Sequence, residues 1–229
     1  MKIITSILLA LLIFNCQDQP SKQKIETISK KKDSIQPAAK EKKRQYPLLN
    51  DENAIPFFEK FGQENKENKV RITTEFGTID VLLFEETKYH RANFIFLTKQ
   101  GYFDGTQFYR IVNNFIIQGG NSDEMVAADK RRKIGKYLLP KDTRHGFKHE
   151  KGVLSMPSSE IENPYKLASP YEFFIVQQPG GARHLDGDYT IFGKVIAGLD
   201  VVDTIAAQET DGSEWPLHNI YIKKVEIID

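Results

Sequence analysis

The chain has 229 residues, and its 32 Lys and Arg nearly cancel its 31 Asp and Glu. No global field therefore exists to recruit nucleic acid or anionic lipid, and composition by itself names no partner. Cys16 is the single cysteine, which rules out an intramolecular disulfide.

A basic start, Met1 and Lys2, runs into an apolar stretch over residues 3–14 that stops at Cys16. The stretch falls short of the roughly 20 residues that a membrane-spanning helix needs, and its place is that of an export signal. Cys16, directly after the apolar core, resembles the acylation site of bacterial lipoproteins. That resemblance implies an exported protein of the cell envelope, lipidated on Cys16, membrane-anchored and facing the periplasm.

Four segments are expected: a signal over 1–16, a tether over 17–49, a helical extension over 50–69 and a folded domain over 70–229. The tether is Lys, Ser, Gln, Glu and Pro with scattered Ile, too little apolar surface to offset the entropy of ordering. Residues 50–61 read as a short helix, capped by Asn50 or Asp51, with Ile55, Phe57, Phe58 and Phe61 on its apolar side. Val70 and Ile72 alternate with polar residues, residues 75–77 turn, and Ile79, Val81 and Leu83 resume the period of two, which predicts an antiparallel hairpin. A helix follows, opened by Thr87, carrying Ala92, Ile95 and Phe96 inward and stopped by Gly101. A second helix is expected over 199–207, with Leu199, Val202, Ile205 and Ala206 at helical spacing. Short apolar runs at 108–112, 115–118, 153–156, 173–176, 190–195 and 220–228 are punctuated by turns such as Asp104-Gly105 and Asp186-Gly187. Many short strands with two helices suit a mainly β domain closed into a barrel, which removes exposed sheet edges.

The run Phe108-Tyr109-Arg110-Ile111-Val112-Asn113-Asn114-Phe115-Ile116-Ile117-Gln118-Gly119-Gly120 resembles the signature segment of the cyclophilins. Further matches keep the family order: Phe103-Asp104-Gly105-Thr106, then Gly152-Val153-Leu154-Ser155-Met156, Phe173-Phe174-Ile175-Val176, and Leu185-Asp186-Gly187 running to Phe192-Gly193-Lys194-Val195. The resemblance covers residues 70–229. It implies a closed antiparallel eight-stranded β-barrel capped by two α-helices, with peptidyl-prolyl cis-trans isomerase chemistry on its outer surface.

By that resemblance Arg110 is the catalytic residue, a permanent cation able to donate to the prolyl nitrogen or to the neighbouring carbonyl. Phe115, Ile116, Phe174 and Leu185 are the apolar proline pocket, Gln118 orients substrate near Arg110, and His184 and Tyr189 line the rim. Two positions depart from the common pattern. Tyr171-Glu172 replaces Ser-Gln, placing a carboxylate able to pair with Arg110 and to compete with substrate. Met156-Pro157-Ser158 replaces Met-Ala-Asn and alters a strand edge, and the following loop to Pro170 is longer than in compact members.

No cofactor is expected, since the chain has no phosphate-cradling loop, nucleophile elbow or zinc-protease helix. His145 and His149 have metal-like spacing, but Gly146 breaks the helix argument, Arg144 and Lys148 repel a cation, and no third ligand is near. The expected substrates are proline-containing unfolded or flexible polypeptides, bound by a monomer that assists the folding of exported proteins. Two other classes stay open: a weakly catalytic proline-peptide binding module or chaperone tethered to the envelope, and a structural protein whose barrel only positions the linker.

Overall fold

A computed structural model describes residues 45–158 and 163–229. The expected signal with Cys16, and the expected tether up to residue 44, lie outside the described residues. In chain order the elements are β1 (Leu49–Asn50), α1 (Ala54–Glu64), β2 (Lys69–Thr73), β3 (Thr78–Leu83), α2 (Lys88–Lys99), β4 (Thr106–Val112), β5 (Ile116–Asn121) and α3 (Met125–Ile134). Then come β6 (Gly135–Lys136), β7 (Val153–Met156), β8 (Phe173–Val176), a 3-10 turn (Arg183–Leu185), β9 (Thr190–Ala197), α4 (Leu199–Ala206), β10 (Tyr221–Ile222) and β11 (Lys224–Ile227).

Nine strands form one antiparallel sheet in the order β10-β4-β5-β8-β7-β9-β3-β2-β11. Its two ends, β10 and β11, are separated in sequence by Lys223 alone. The last passage of the chain thus pairs with β4 on one side and β2 on the other, closing the sheet. Nine strands with the last two counted as one passage make eight, the number expected. The predicted hairpin is β2–β3, with Val70 opposite Val81 and Ile72 opposite Ile79, all four side chains fully buried.

Helix α2 plugs one end of the barrel, and residues 90–98 are buried without exception. Phe94 stacks on Phe103 at 4.5 Å and meets Phe173 and Phe192 at 5.6 and 5.7 Å, so aromatic rings fill the interior. The helix ends where expected, with Gly101 at φ 61°. Its terminal region is held by the Lys130 ammonium, which donates to the carbonyls of Gly101, Tyr102 and Asp104 at 2.8, 3.2 and 2.6 Å. The second expected helix is α4.

Two boundaries differ from expectation. Leu49, expected as the last residue of the tether, is a buried core residue whose strand runs parallel to β6. The contact is so close that a Cβ at Gly135 would lie 2.0 Å from the Leu49 carbonyl oxygen. Helix α1 starts four residues late because the Asn50 Oδ1 accepts from the amides of Glu52 and Asn53, folding those residues into a turn first. Its aromatic side is the expected one: Phe57, Phe58 and Phe61 surround Phe96 of α2 at 5.1, 5.9 and 5.5 Å. Arg91 of α2 is buried and donates to the carbonyls of Gly62, Asn65 and Glu67, capping the end of α1.

Helix α3 was not expected. Only Ala127 and Ile134 of its ten residues are buried, too few to print a helical period on the sequence.

Candidate active site

Strand alternation decides which side chains leave the barrel. In β8, Phe173 points into the interior cluster, and its neighbour Phe174 joins a second, smaller cluster with Ile116, Val176 and Ala182. The ladder then aligns three strands, with Arg110 of β4 opposite Gln118 of β5, and Gln118 opposite Phe174 of β8. A cation, an amide and an apolar ring thus stand in one row, roughly 4.8 Å from strand to strand.

That row borders an open groove of about 690 Å³. Arg110, Phe115, Ile116, Gln118, Glu172, Phe174, Leu185 and Tyr189 all line it, as expected from the sequence. Phe115, Leu185 and Tyr189 pack on the small cluster and complete an apolar floor. His184 is not among the lining residues. Its ring stacks on Phe115 at 5.3 Å, so it backs the pocket wall.

The charges are arranged differently from expectation. Glu172 does not take Arg110. It pairs with Arg131 of α3 at 3.2 Å, and Arg131 in turn donates from its Nε to the Tyr102 hydroxyl oxygen at 2.8 Å and lies 5.2 Å from the Tyr171 ring. The acid that meets Arg110 is Glu214, whose Oε2 accepts from Nε at 2.6 Å. Gln118, expected to work beside Arg110, donates its amide to the Tyr109 hydroxyl. Burial pushes the Tyr109 hydroxyl far up, so it stays a neutral donor and acceptor.

The Gln-Gly-Gly end of the motif has a steric cause. Gly120 sits at φ 94°, and a Cβ there would lie 2.4 Å from the Tyr171 carbonyl oxygen, so glycine lets β5 press against the start of β8. Pro157, Ser158 and Ser169 form part of the groove wall, where the Ser169 amide donates to the Pro157 carbonyl at 2.8 Å.

Below the floor lies a buried chain of hydrogen bonds. His149 Nδ1 is 2.9 Å from Asp186 Oδ1, its Nε2 is 3.1 Å from Ser155 Oγ, and that hydroxyl donates to the Thr190 carbonyl at 2.9 Å. The residue types are those of a nucleophilic triad. Ser155 and His149 are both fully buried, and the His149 ring lies parallel to Phe174 at 6.0 Å, so the chain supports the floor and meets no substrate. Burial holds the His149 imidazole below its usual pKa. His145 faces a different carboxylate, Asp142, at 3.3 Å.

Sequence reasoning missed Glu214, Trp215 and Asn121, and gave Tyr109 no role of its own. Trp215 lines the groove and meets the Tyr109 ring at 5.7 Å. Residues 214 and 215 follow the last motif by about twenty positions, and no local pattern signals that their loop returns to β4. Tyr109 was in plain sight beside Arg110; an aromatic next to a strand cation was the available signal.

A closed antiparallel barrel with a cation and an apolar hollow on its outer wall defines a class of peptide-handling barrel proteins. The family model for the cyclophilin type peptidyl-prolyl cis-trans isomerase matches residues 69–227. The chain belongs to that family. A peptidyl-prolyl cis-trans isomerase-like 2 of Rhizopus delemar is 36% identical over 164 residues, 71% of this chain and 29% of the relative. The chain therefore spans less than a third of that longer relative. A peptidyl-prolyl cis-trans isomerase of Acinetobacter baylyi is 31% identical over 164 residues, 69% of this chain and 82% of the relative. Among solved structures, a cyclophilin type peptidyl-prolyl cis-trans isomerase of Cryptosporidium parvum superposes with a TM-score of 0.60 at 30% identity, covering 71% of this chain and 98% of that one. The same protein in the presence of the dipeptide Ala-Pro gives 0.58.

Proposed function

We propose that the chain catalyses cis-trans isomerisation of X-Pro bonds in exported polypeptides and assists their folding, as a monomer held by a lipid on Cys16 at a membrane of the cell envelope, facing the periplasm. The chemistry asks for little. No bond to carbon is made or broken, and the barrier of about 18–20 kcal/mol is the loss of amide resonance on twisting. At the top of that barrier the prolyl nitrogen is pyramidal and basic, so an enzyme gains by binding the twisted form better than either planar one.

The groove supplies what this needs. Phe115, Ile116, Phe174 and Leu185 hold the proline ring by apolar contact. Arg110, on the rim of the same groove, donates to the nitrogen or the adjacent carbonyl as the bond turns. A hydrogen bond to a charged group is worth about 1.5–3 kcal/mol, which as differential binding of the twisted state is roughly ten- to a hundredfold in rate. Tyr109 and Gln118 act as one hydrogen-bonded pair that can fix the backbone of a bound peptide. The structural relative studied in the presence of Ala-Pro supports a proline-containing substrate.

The observation that carries the reading is the placement of Arg110 in one cross-strand row with Gln118 and the apolar Phe174. Exchange spectroscopy or a protease-coupled assay on short X-Pro peptides tests it: wild type accelerates interconversion, and Arg110→Ala loses about a hundredfold of that acceleration. Equal background rates for both proteins would leave a binding module instead. Mass spectrometry of the mature N-terminus tests the anchor, and an unmodified terminus away from Cys16 removes it.

A further inference from the structure

We infer that Glu214 is the positioning residue of Arg110, holding the guanidinium by its Nε edge so that the terminal amino groups are left for the substrate. The inference rests on the isomerase reading of the groove.

Glu214 Oε2 lies 2.6 Å from Nε, a short charge-assisted contact. Among the described residues it is the acceptor that Arg110 has, and it uses one of the five donors of the guanidinium fork. The carboxylate is not carried on a loose loop. Asp211 Oδ1 accepts from the amides of Ser213 and Trp215 at 2.8 and 3.0 Å, the Asp211 amide donates to the Trp215 carbonyl at 2.8 Å, and the Glu214 amide donates back to the Asp211 carbonyl at 3.1 Å. The turn so formed is fastened to the barrel where the Ile111 amide donates to the Glu214 carbonyl at 2.9 Å, one residue along β4 from Arg110.

Stability does not account for this arrangement. The two side chains are 36% and 43% exposed, and an ion pair so open to solvent contributes little to folding. Glu214 meanwhile sits at φ 65°, a left-handed conformation that strains a residue with a Cβ. The strain cancels the gain, so folding is served as well by glycine at this position. What only the carboxylate supplies is a fixed orientation for the guanidinium. An arginine side chain loses much rotamer freedom on being ordered. Glu214 takes most of that loss before substrate arrives, as preorganised electrostatic stabilisation requires.

The test uses the full chain and compares wild type with Glu214→Ala, Glu214→Gln and Glu214→Gly, reading kcat and KM on one X-Pro peptide and the Nε–H resonance of Arg110 by NMR. Glu214→Ala is expected to lower kcat about tenfold with KM changed less than twofold. Glu214→Gln, which keeps an acceptor oxygen at the same reach, recovers most of the loss. Glu214→Gly loses kcat like alanine yet melts no lower than wild type, which separates positioning from folding. The Arg110 Nε–H signal is expected sharp and shifted downfield in free wild type, and near the free-arginine position in Glu214→Ala. An unchanged kcat in Glu214→Ala, or an unmoved Nε–H signal, overturns the inference; a raised kcat overturns it too and makes Glu214 a brake. If wild type itself shows no turnover, the isomerase reading fails, and the resonance still reports whether Glu214 holds Arg110.

Discussion

Phe173 and Phe174 are neighbours on one strand, yet they belong to different apolar clusters. Phe173 meets Phe94, Phe103 and Phe108 inside the barrel, where rings close around it. Phe174 is almost as buried but lies on the outer wall, in a cluster of four buried residues whose remaining cover is the half-buried Phe115, Leu185 and Tyr189. Burial alone does not separate the two. The difference is that the inner cluster closes on itself, whereas the outer one is left open on one side, and the opening is the groove. An apolar surface left open on a barrel wall is ready to take a ring from elsewhere.

The comparison breaks most sharply under truncation. Phe173→Ala should cost about 3–5 kcal/mol in chemical denaturation, because the interior cannot collapse around the lost ring. A cost under about 1 kcal/mol would mean that the two clusters are not distinct in the way described.

Acid should strike the interior next. His90 is wholly buried at the barrel plug, both ring nitrogens lack a partner among the described residues, and burial lowers its pKa from 6.5 to about 4. The unfolded chain therefore binds the proton first. Stability is whole above pH 6.5 and falls as pH drops towards 4, by about 3 kcal/mol in all. Denaturation midpoints across that range should show the loss, and His90→Leu should flatten it; an equal slope in both proteins would remove the assignment.

At the exposed rim of the groove the order of effects reverses, with activity lost and stability kept. Arg110→Ala should reduce kcat/KM about a hundredfold, some 2.7 kcal/mol, while the melting temperature moves little, because an exposed ion pair contributes so little to folding. Phe174→Ala should raise KM more than it lowers kcat, since the floor holds planar and twisted proline alike. The smallest effect is spectroscopic. Trp215 is the single tryptophan of the chain and lines the groove, so an X-Pro peptide should shift its emission, and Tyr109→Phe should leave that shift in place.

Much of this was legible in the residues. The alternation of Val70, Ile72, Ile79 and Val81 set the hairpin, and the run from Phe108 to Gly120 placed the cation and half of the floor, Phe115 and Ile116, because both patterns are short in sequence and rest on strand geometry. Leu49 and α3 were not legible. Leu49 is one apolar residue at the end of a polar stretch, and its burial depends on a glycine 86 positions away, Leu49 to Gly135. The acid beside Arg110 was assigned to Glu172 because that residue stands near the motif, whereas Glu172 is taken by Arg131 from the helix that the sequence did not announce.

By itself, then, the sequence determined the family and the main strand pattern, since the motifs that carry them depend on neighbours within a few residues, and the order of those motifs named the apolar floor. Only the tertiary structure decided which carboxylate faces which cation. Ion pairs form between side chains that chain closure brings together, and the turn carrying Glu214 reaches Arg110 across 104 residues because it is fastened to the edge of β4.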